Sequence, residues 1–180
     1  MKKILIVVDM QNDFIDGALG TAEAQKTVIP IIDTIKSGKY HRIFATRDTH
    51  TDAYLNSHEG RKLPVPHCIV NTEGWNIKKE IMEKLEEHNA TIIDKPGFGS
   101  CTLIEKLVEE YSKDPVEFVF VGLCTDICVM CNVMMLRGAL PEADIQVIAK
   151  CCAGVTPDSH QEALNTMKMC HIDIINEMQC

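Results

Sequence analysis

The sequence lacks any hydrophobic run long enough to cross a membrane as a helix, which takes about 20 consecutive apolar residues. The apolar start at residues 4–8 ends at Asp9, so it is also too short for the hydrophobic part of a secretion signal. Positive charge is in deficit, with 18 Lys and Arg against 26 Asp and Glu and a formal net charge of −8. This balance repels phosphate backbones, so we expect a cytoplasmic protein that binds neither membranes nor nucleic acid.

Low-complexity linkers and internal repeats are also lacking, and 180 residues fit the usual size of one domain. We therefore expect a single domain over residues 1–180. Cysteine, by contrast, is plentiful at nine residues. Because the number is odd and the chain is not small, we interpret the cysteines as cytosolic thiols rather than a disulfide framework.

Short runs rich in Val and Ile alternate with longer segments of helical periodicity. This alternation is typical of repeated βα units and predicts an α/β fold with a largely parallel sheet. Strands are predicted over residues 3–8, 42–46, 91–94, 117–122, 145–149 and 172–175. Helices are predicted over residues 27–37, 77–88, 102–112, 126–137 and 157–170.

Two helix starts can be predicted from single residues. Proline is tolerated in the first turn of a helix, so Pro30 predicts that the first helix begins close to Thr27. Thr102 and Glu105 have the spacing of a capping box and predict the start of another helix.

Reactive side chains follow four of the predicted strands. Asp9 follows the first strand, Asp48 and His50 the second, Lys95 the third, and Cys128 lies just beyond the fourth in "GLCTDIC". Ligands of an open parallel sheet bind at the carboxyl ends of its strands. We therefore expect one crevice to hold all of these side chains.

Cys128 is the candidate nucleophile. A thiol in the first turn of a helix feels the positive end of the helix dipole, which favours the thiolate. With Asp9 as base and Lys95 as cation, the three residue types would suit acyl transfer from an amide. Two alternatives remain: a buried cysteine that only packs the helix, and a reversible disulfide between Cys124 and Cys128.

A candidate metal site lies in the segment from residue 48 to residue 68, which has no helical or strand periodicity. Asp48, His50 and His67 are a carboxylate and two imidazoles, a set typical of catalytic metal sites with open positions. Glu59 or His58 could supply a further ligand. The alternative is a polar surface loop with scattered histidines.

Four motifs together resemble a known family. "VVDMQNDF", "DKPGFGS" and "VGLCTDICV" resemble the isochorismatase-like cysteine hydrolases, and "RDTH…HE…PVPHC" resembles the metal loop of the nicotinamidase-like branch. The resemblance implies a three-layer α/β/α Rossmann-like fold with a central, mostly parallel six-stranded sheet. It also implies a catalytic triad of Asp9, Lys95 and Cys128. An oxyanion hole would come from the backbone N–H groups of Cys124 and Cys128, with a cis peptide between Leu123 and Cys124.

The resemblance maps the metal ligands onto Asp48, His50, His67 and a fourth position. Glu59 is our choice for that position, and His58 is the rival. The ion would be divalent, with zinc as the first choice and iron or manganese as alternatives.

The implied activity is hydrolysis of a small planar carboxamide, nicotinamide first, to the acid and ammonia through a thioester. Pro64 stands where nicotinamidases usually place an aromatic residue, and Phe14 and Phe98 are the candidate pocket walls. The alternatives are a hydrolase of another amide or carbamoyl substrate, and a non-catalytic, redox-responsive thiol protein. The resemblance also implies a homo-oligomer, a dimer or a tetramer.

Overall fold

The fold is built on one parallel sheet, as seen in a computed structural model that describes residues 1–176. Its strands are β1 (Lys2–Val8), β2 (Arg42–Asp48), β3 (Thr91–Lys95), β4 (Val116–Leu123), β5 (Asp144–Ala153) and β6 (Asp173–Ile175). They lie in the order β3-β2-β1-β4-β5-β6, and every neighbouring pair is parallel. The predicted six-stranded sheet is confirmed. The last four residues of the predicted domain, 177–180, lie outside the described residues.

Helices connect these strands. They are α1 (Asn12–Ile15), α2 (Ala22–Lys36), α3 (His58–Lys62), α4 (Lys79–Glu87), α5 (Cys101–Tyr111), α6 (Met130–Ala139) and α7 (Pro157–Met169). A 3₁₀ turn at Tyr54–Asn56 precedes α3, and a π-helical turn at Thr125–Val129 leads into α6. None of the helices within residues 1–176 is long and apolar enough to cross a bilayer.

The sheet is covered on both faces, which gives the three layers. Leu5 and Val7 of β1 belong to the core beneath α2 and α4, whereas Ile4 and Ile6 belong to the core beneath α5, α6 and α7. A strand buried on both faces needs apolar side chains in both directions, and this explains the uninterrupted apolar run of β1. The three-layer α/β/α fold is confirmed.

The first long helix begins earlier than the sequence predicts. Helix α2 starts at Ala22, because the Thr21 side chain accepts a hydrogen bond from the Ala24 N–H and caps the helix there. Pro30 therefore lies inside the helix. The buried face formed by Ala24, Thr27, Ile31 and Ile35 keeps the helix intact despite the hydrogen bond that a proline cannot make.

The predicted capping box at Thr102 and Glu105 is wrong. Helix α5 is capped two residues earlier, since the Ser100 side chain accepts from the Leu103 N–H at 3.2 Å and Cys101 is already helical. A serine caps as well as a threonine does, so spacing alone did not distinguish the two.

Strands β1 and β4 approach each other closely where both end. Gly122 of β4 has φ +120, and a side-chain Cβ there would lie 2.1 Å from the Val8 carbonyl oxygen. Just beyond, Asp9 has φ 48, a left-handed conformation that is uncommon for a residue with a side chain. The chain turns away from β1 at Asp9, and this turn opens a crevice between the ends of β1 and β4.

Candidate active site

The carboxyl ends of β1 to β4 bring the predicted reactive residues to one place. Asp9 follows β1, Asp48 ends β2, Lys95 ends β3, and Cys128 lies in the π-helical turn that follows β4. Cys128 and Asp48 line a cavity of about 730 Å³, and Asp9 and Lys95 lie directly behind them, fully buried.

The Lys95 ammonium is the centre of this arrangement. Its Nζ lies 2.7 Å from Asp9 Oδ2, 3.5 Å from Cys128 Sγ and 3.4 Å from Asp48 Oδ1, and it donates to the Gly97 carbonyl at 2.8 Å. Burial alone would lower the pKa of Lys95, but the charges of the Asp9 and Asp48 carboxylates raise it well above its ordinary value. Lys95 therefore remains a cation.

Asp9 and Cys128 are a base and an acid held against each other. Burial raises the pKa of the Asp9 carboxyl, against the opposing effect of Lys95, and Asp9 Oδ1 accepts a hydrogen bond from the Thr46 hydroxyl at 2.6 Å. Burial also raises the pKa of the Cys128 thiol, and the Asp9 charge raises it further. The helix dipole led us to expect a thiolate, but desolvation outweighs it, so the resting sulfur is a thiol.

The backbone around the sulfur contains the cis peptide that the resemblance implies, between Leu123 and Cys124. The Cys124 carbonyl accepts from the N–H groups of Ile127 and Val129 and so closes the π-helical turn beneath Cys128. Cys124 and Cys128 both line the cavity. Their N–H groups remain our prediction for the oxyanion hole.

A second cluster lies beside the sulfur. Asp48, His50, Glu59 and His67 each offer one ligand atom, and these atoms all lie within 4.8 Å of one another. Glu59 Oε1 is 3.5 Å from His67 Nε2 and 3.8 Å from His50 Nε2. His58, the rival to Glu59, is not part of this cluster, although it lines the same cavity.

The donors of this cluster fit a divalent metal ion. His67 Nδ1 lies 2.8 Å from the Val65 carbonyl, which only accepts, so Nδ1 carries the proton and Nε2 presents its lone pair to the cluster. His50 Nε2 is buried 2.8 Å from Asp48 Oδ2, in an orientation that makes no hydrogen bond. A carboxylate and an imidazole that lie this close without a hydrogen bond between them suit a shared cation.

Comparison with known proteins assigns the chain to a family. The family model described as the isochorismatase domain matches residues 3–177. The chain belongs to the isochorismatase family.

Similar sequences and solved structures narrow the assignment within the family. It is 29% identical over 171 residues to a nicotinamidase from Saccharomyces cerevisiae, over 71% of this chain and 77% of that protein. The crystal structure of a nicotinamidase/pyrazinamidase from Bacillus subtilis superposes with TM-score 0.82 at 26% identity, covering 97% of this chain and 99% of that one. A pyrazinamidase from Pyrococcus horikoshii in complex with zinc gives TM-score 0.77 at 26% identity, covering 98% and 100%. Within the isochorismatase family the chain belongs to the nicotinamidase-like branch and is a hydrolase of amide C–N bonds.

The "VVDMQNDF" motif of this isochorismatase-family chain holds residues that our sequence reasoning missed. The Gln11 side chain is fully buried, donates to the carbonyls of Asp48 and Trp75 at 2.8 and 2.9 Å, and accepts from the Asp48 N–H at 2.7 Å. Asp13 accepts from the Cys68 N–H at 2.7 Å, next to His67. The sequence carried a signal for both, because they are polar residues shortly after a buried strand. Backbone groups there no longer have partners in the sheet and need side chains to pair with.

Tyr54 was also missed. Its ring packs against the imidazoles of His50 and His67, at 4.8 and 4.9 Å between ring centroids, and these two imidazoles lie 5.0 Å from each other. Its hydroxyl donates to the Leu63 carbonyl at 2.9 Å. Burial raises the pKa of Tyr54 to about 12, so the hydroxyl stays protonated. Nothing in the sequence pattern singled out this aromatic residue, because its partners lie on separate turns of an irregular loop.

The two candidate pocket walls, Phe14 and Phe98, both line the cavity. The Phe14 ring lies 5.5 Å from the His67 ring, whereas Phe98 stands at the mouth with 45% of its surface exposed. Leu63, the neighbour of Pro64, lines the cavity where an aromatic wall was expected from the family.

Proposed function

We propose that this chain hydrolyses nicotinamide to nicotinate and ammonia, with Asp9, Lys95 and Cys128 as its catalytic residues. The observation that carries the proposal is the contact of one buried ammonium with both the carboxylate and the sulfur, at 2.7 and 3.5 Å. A nucleophile, a base and a cation within reach of one another are what covalent amide hydrolysis needs. The nicotinamidase relatives support this substrate.

The reaction begins with a proton transfer. Asp9 accepts the proton of the Cys128 thiol, and Lys95 stabilises the thiolate that forms, because its charge lies beside both groups. The sulfur then attacks the amide carbon, and the carbonyl oxygen becomes an oxyanion that the N–H groups of Cys124 and Cys128 stabilise.

The proton on Asp9 next moves to the amide nitrogen, so the C–N bond breaks and ammonia leaves a thioester on Cys128. Asp9 is again a carboxylate and takes a proton from water as the water oxygen attacks the thioester carbon. The C–S bond breaks, the carboxylic acid is released, and the sulfur recovers the proton from Asp9.

We propose that Asp48, His50, Glu59 and His67 hold a divalent ion, zinc first and iron or manganese as alternatives. The donor set supports this, as does the zinc complex of the Pyrococcus horikoshii relative. When bound, the ion would supply a positive charge with open positions that suit a ring nitrogen or water. Tyr54 and Phe14 pack on the imidazoles and hold them in place around it.

Ammonia release from nicotinamide tests the proposal. The zinc-loaded protein is expected to turn over, and Cys128→Ala is expected to lose activity completely while keeping its melting temperature. Cys124→Ala is the matched control, since only its backbone N–H is used, and we expect it to retain most activity. Intact mass spectrometry of a quenched reaction should detect the acyl group on wild-type protein alone. Turnover by Cys128→Ala would rule out the covalent route.

The raised pKa values of both thiols disfavour a reversible Cys124–Cys128 disulfide. Burial raises the pKa of Cys124 to about 12 and that of Cys128 well above its ordinary value. Thiol–disulfide exchange needs a thiolate at one of the two sulfurs, and both are thiols at rest; the Cys128 thiolate forms only when Asp9 accepts its proton.

We also propose that the chain acts as one domain and as a homo-oligomer. One sheet shared by both core clusters supports the single domain over the described residues 1–176. The assembly rests on the resemblance alone, and light scattering of the purified protein would measure it.

A further inference from the structure

The cavity is large for the substrate proposed above. Its volume of about 730 Å³ lies in the range of about 300 to 1,000 Å³ that buries drug-sized ligands. A carboxamide on a single six-membered ring is a small fraction of such a ligand. When its amide lies against Cys128 and its ring nitrogen faces the four-donor cluster, most of the outer cavity is left over.

This outer part is largely apolar, although the exposed Lys62 and His58 are among the polar residues that line the same cavity. We call it the outer chamber, and it is lined by the side chains of Leu19, Leu63, Phe98, Ile127 and Val155. Three of these are unusually exposed for large apolar residues, Leu63 at 37%, Phe98 at 45% and Val155 at 53%. Apolar side chains grouped around the mouth of a cavity are typical of a surface that a ligand covers.

The outer chamber is continuous with the reacting groups, and one of its walls is fixed to them. The Val155 N–H donates to the Asp126 carboxylate at 3.2 Å, and Asp126 belongs to the same π-helical turn as Cys128. Ile127 comes from that turn as well. The chamber therefore keeps its position relative to the sulfur, as a subsite for part of the substrate must.

We propose that the preferred substrate is an aromatic carboxamide with an apolar substituent on its ring, and that the outer chamber binds this substituent. The inference rests on the proposed function and narrows its substrate class. The substituent would stand at ring position 5, because that position points away from both the carboxamide carbon and the ring nitrogen. Binding would remove apolar surface of both substrate and chamber from water.

The first test compares nicotinamide with 5-phenylnicotinamide on the zinc-loaded protein. We expect kcat/KM to be at least about tenfold higher for the phenyl compound, mainly through a lower KM, since the added contacts exist before the reaction as well as during it. A kcat/KM for the phenyl compound well below that for nicotinamide overturns the inference, because the chamber then excludes the group it should bind.

The second test changes the chamber wall. Val155→Asp is expected to lower the ratio of the two kcat/KM values about tenfold, since a carboxylate at the mouth opposes an apolar group. Ile29→Asp is the matched control: Ile29 is 64% exposed on α2 and does not line the cavity, so we expect the ratio to stay the same. If Val155→Asp instead changes the oligomeric mass and leaves the ratio intact, the exposed rim is a subunit contact and the inference is wrong.

Activity on the two substrates also distinguishes failure of this inference from failure of the proposed function on which it rests. Hydrolysis of nicotinamide but not of the phenyl compound removes the inference and leaves the proposed function. Hydrolysis of the phenyl compound alone supports the inference and replaces nicotinamide as substrate. Hydrolysis of neither overturns both.

Discussion

At the scale of single residues, the fully buried Lys95 ammonium is the feature with the largest consequences. Its charge is compensated by Asp9 and Asp48, which are almost fully buried themselves. A buried ion pair adds little net stability, but removal of one partner leaves the other charge without compensation. Lys95 therefore stabilises the fold only together with the carboxylates that it faces.

Lys95→Met is expected to lower the free energy of unfolding by about 3 to 5 kcal/mol, because Asp9 and Asp48 would remain buried without a cation. Urea unfolding measures this. Lys78→Met is the control: Lys78 pairs with Asp16 at a partly exposed site, so its loss should cost no more than about 1 kcal/mol. The double variant Asp9→Asn with Lys95→Met should recover part of the loss. Equal effects of the two single lysine substitutions would contradict the compensation argument.

The pH dependence of kcat/KM should reflect the buried Asp9. This carboxyl must be ionised to accept the Cys128 proton, and burial raises its pKa, with Lys95 opposing. Because the proton stays on a raised group to a higher pH, activity should fall on the acid side with an apparent pKa above the ordinary value of about 3.9.

Initial rates in zinc-saturated buffers from about pH 4 to 9 would measure this acid limb. Circular dichroism at each pH separates it from unfolding. An acid limb at or below the ordinary carboxyl pKa would show that Lys95 dominates over burial.

At the scale of elements, the turn from β1 into α1 holds the metal loop in place. The Gln11 side chain hydrogen-bonds both the N–H and the carbonyl of Asp48, as the backbone of a neighbouring strand would. Asp13 accepts a hydrogen bond from the N–H of Cys68, the residue after His67. Two of the proposed metal ligands, Asp48 at the end of β2 and His67 in the loop after α3, are thus held by hydrogen bonds from the start of α1 and the residue before it.

Gln11→Leu should weaken zinc binding about 10- to 100-fold, because Asp48 loses the partners that orient it. It should also lower the free energy of unfolding by about 1 to 3 kcal/mol through unpaired buried backbone groups. Competition with a chromogenic chelator measures the affinity. Asn12→Leu is the neighbouring control, since the Asn12 side chain donates its hydrogen bonds to the exposed Glu73 rather than to the cluster, and its zinc affinity should not change. Unchanged affinity in Gln11→Leu would mean that the ligands orient themselves.

The strands and helices also show which parts of the fold the sequence can predict and which it cannot. The six strands follow from short Val- and Ile-rich runs, because a strand buried on both faces tolerates few polar residues. The start of α2 was misplaced because our prediction relied on Pro30 alone and did not consider Thr21 as a cap. In the fold, a buried face of four residues outweighs one missing hydrogen bond. Local signals near a helix end compete, and tertiary packing decides between them.

At the scale of the whole molecule, the sequence could predict that the site residues meet at one edge of the sheet. It could not predict the contacts between their buried side chains. Parallel strands end at the same edge of a sheet, so Asp9, Asp48 and Lys95 were expected to lie together. That Lys95 is fully buried depends on Asp9 from another strand, as the orientation of Asp48 depends on Gln11. Such contacts join residues far apart in the chain, and no local pattern encodes them.

Removal of divalent metal should affect activity and global stability together. Without the metal ion, Asp48 and Glu59 lie close to each other beside the two imidazoles, and Lys95 compensates only the other oxygen of Asp48. An ion that binds only the folded state adds about 2.7 kcal/mol when it is present at 100 times its dissociation constant. We therefore expect chelator-treated protein to lose most of its amidase activity and to melt at a lower temperature, and zinc to restore both.

Scanning calorimetry with and without zinc measures the thermal effect. Glu59→Gln is the matched variant, since it removes one charge of the cluster and should show a smaller rise on addition of zinc. An identical rise in Glu59→Gln would place the ion elsewhere.

The position of β1 between β2 and β4 has a consequence for biosynthesis. β1 is the first strand to leave the ribosome, yet its partner β4 spans Val116–Leu123 and is made more than a hundred residues later. Until then one edge of this apolar strand stays uncovered, and an uncovered apolar edge favours aggregation of the nascent chain. Recovery of amidase activity during refolding should therefore report the insertion of this last partner.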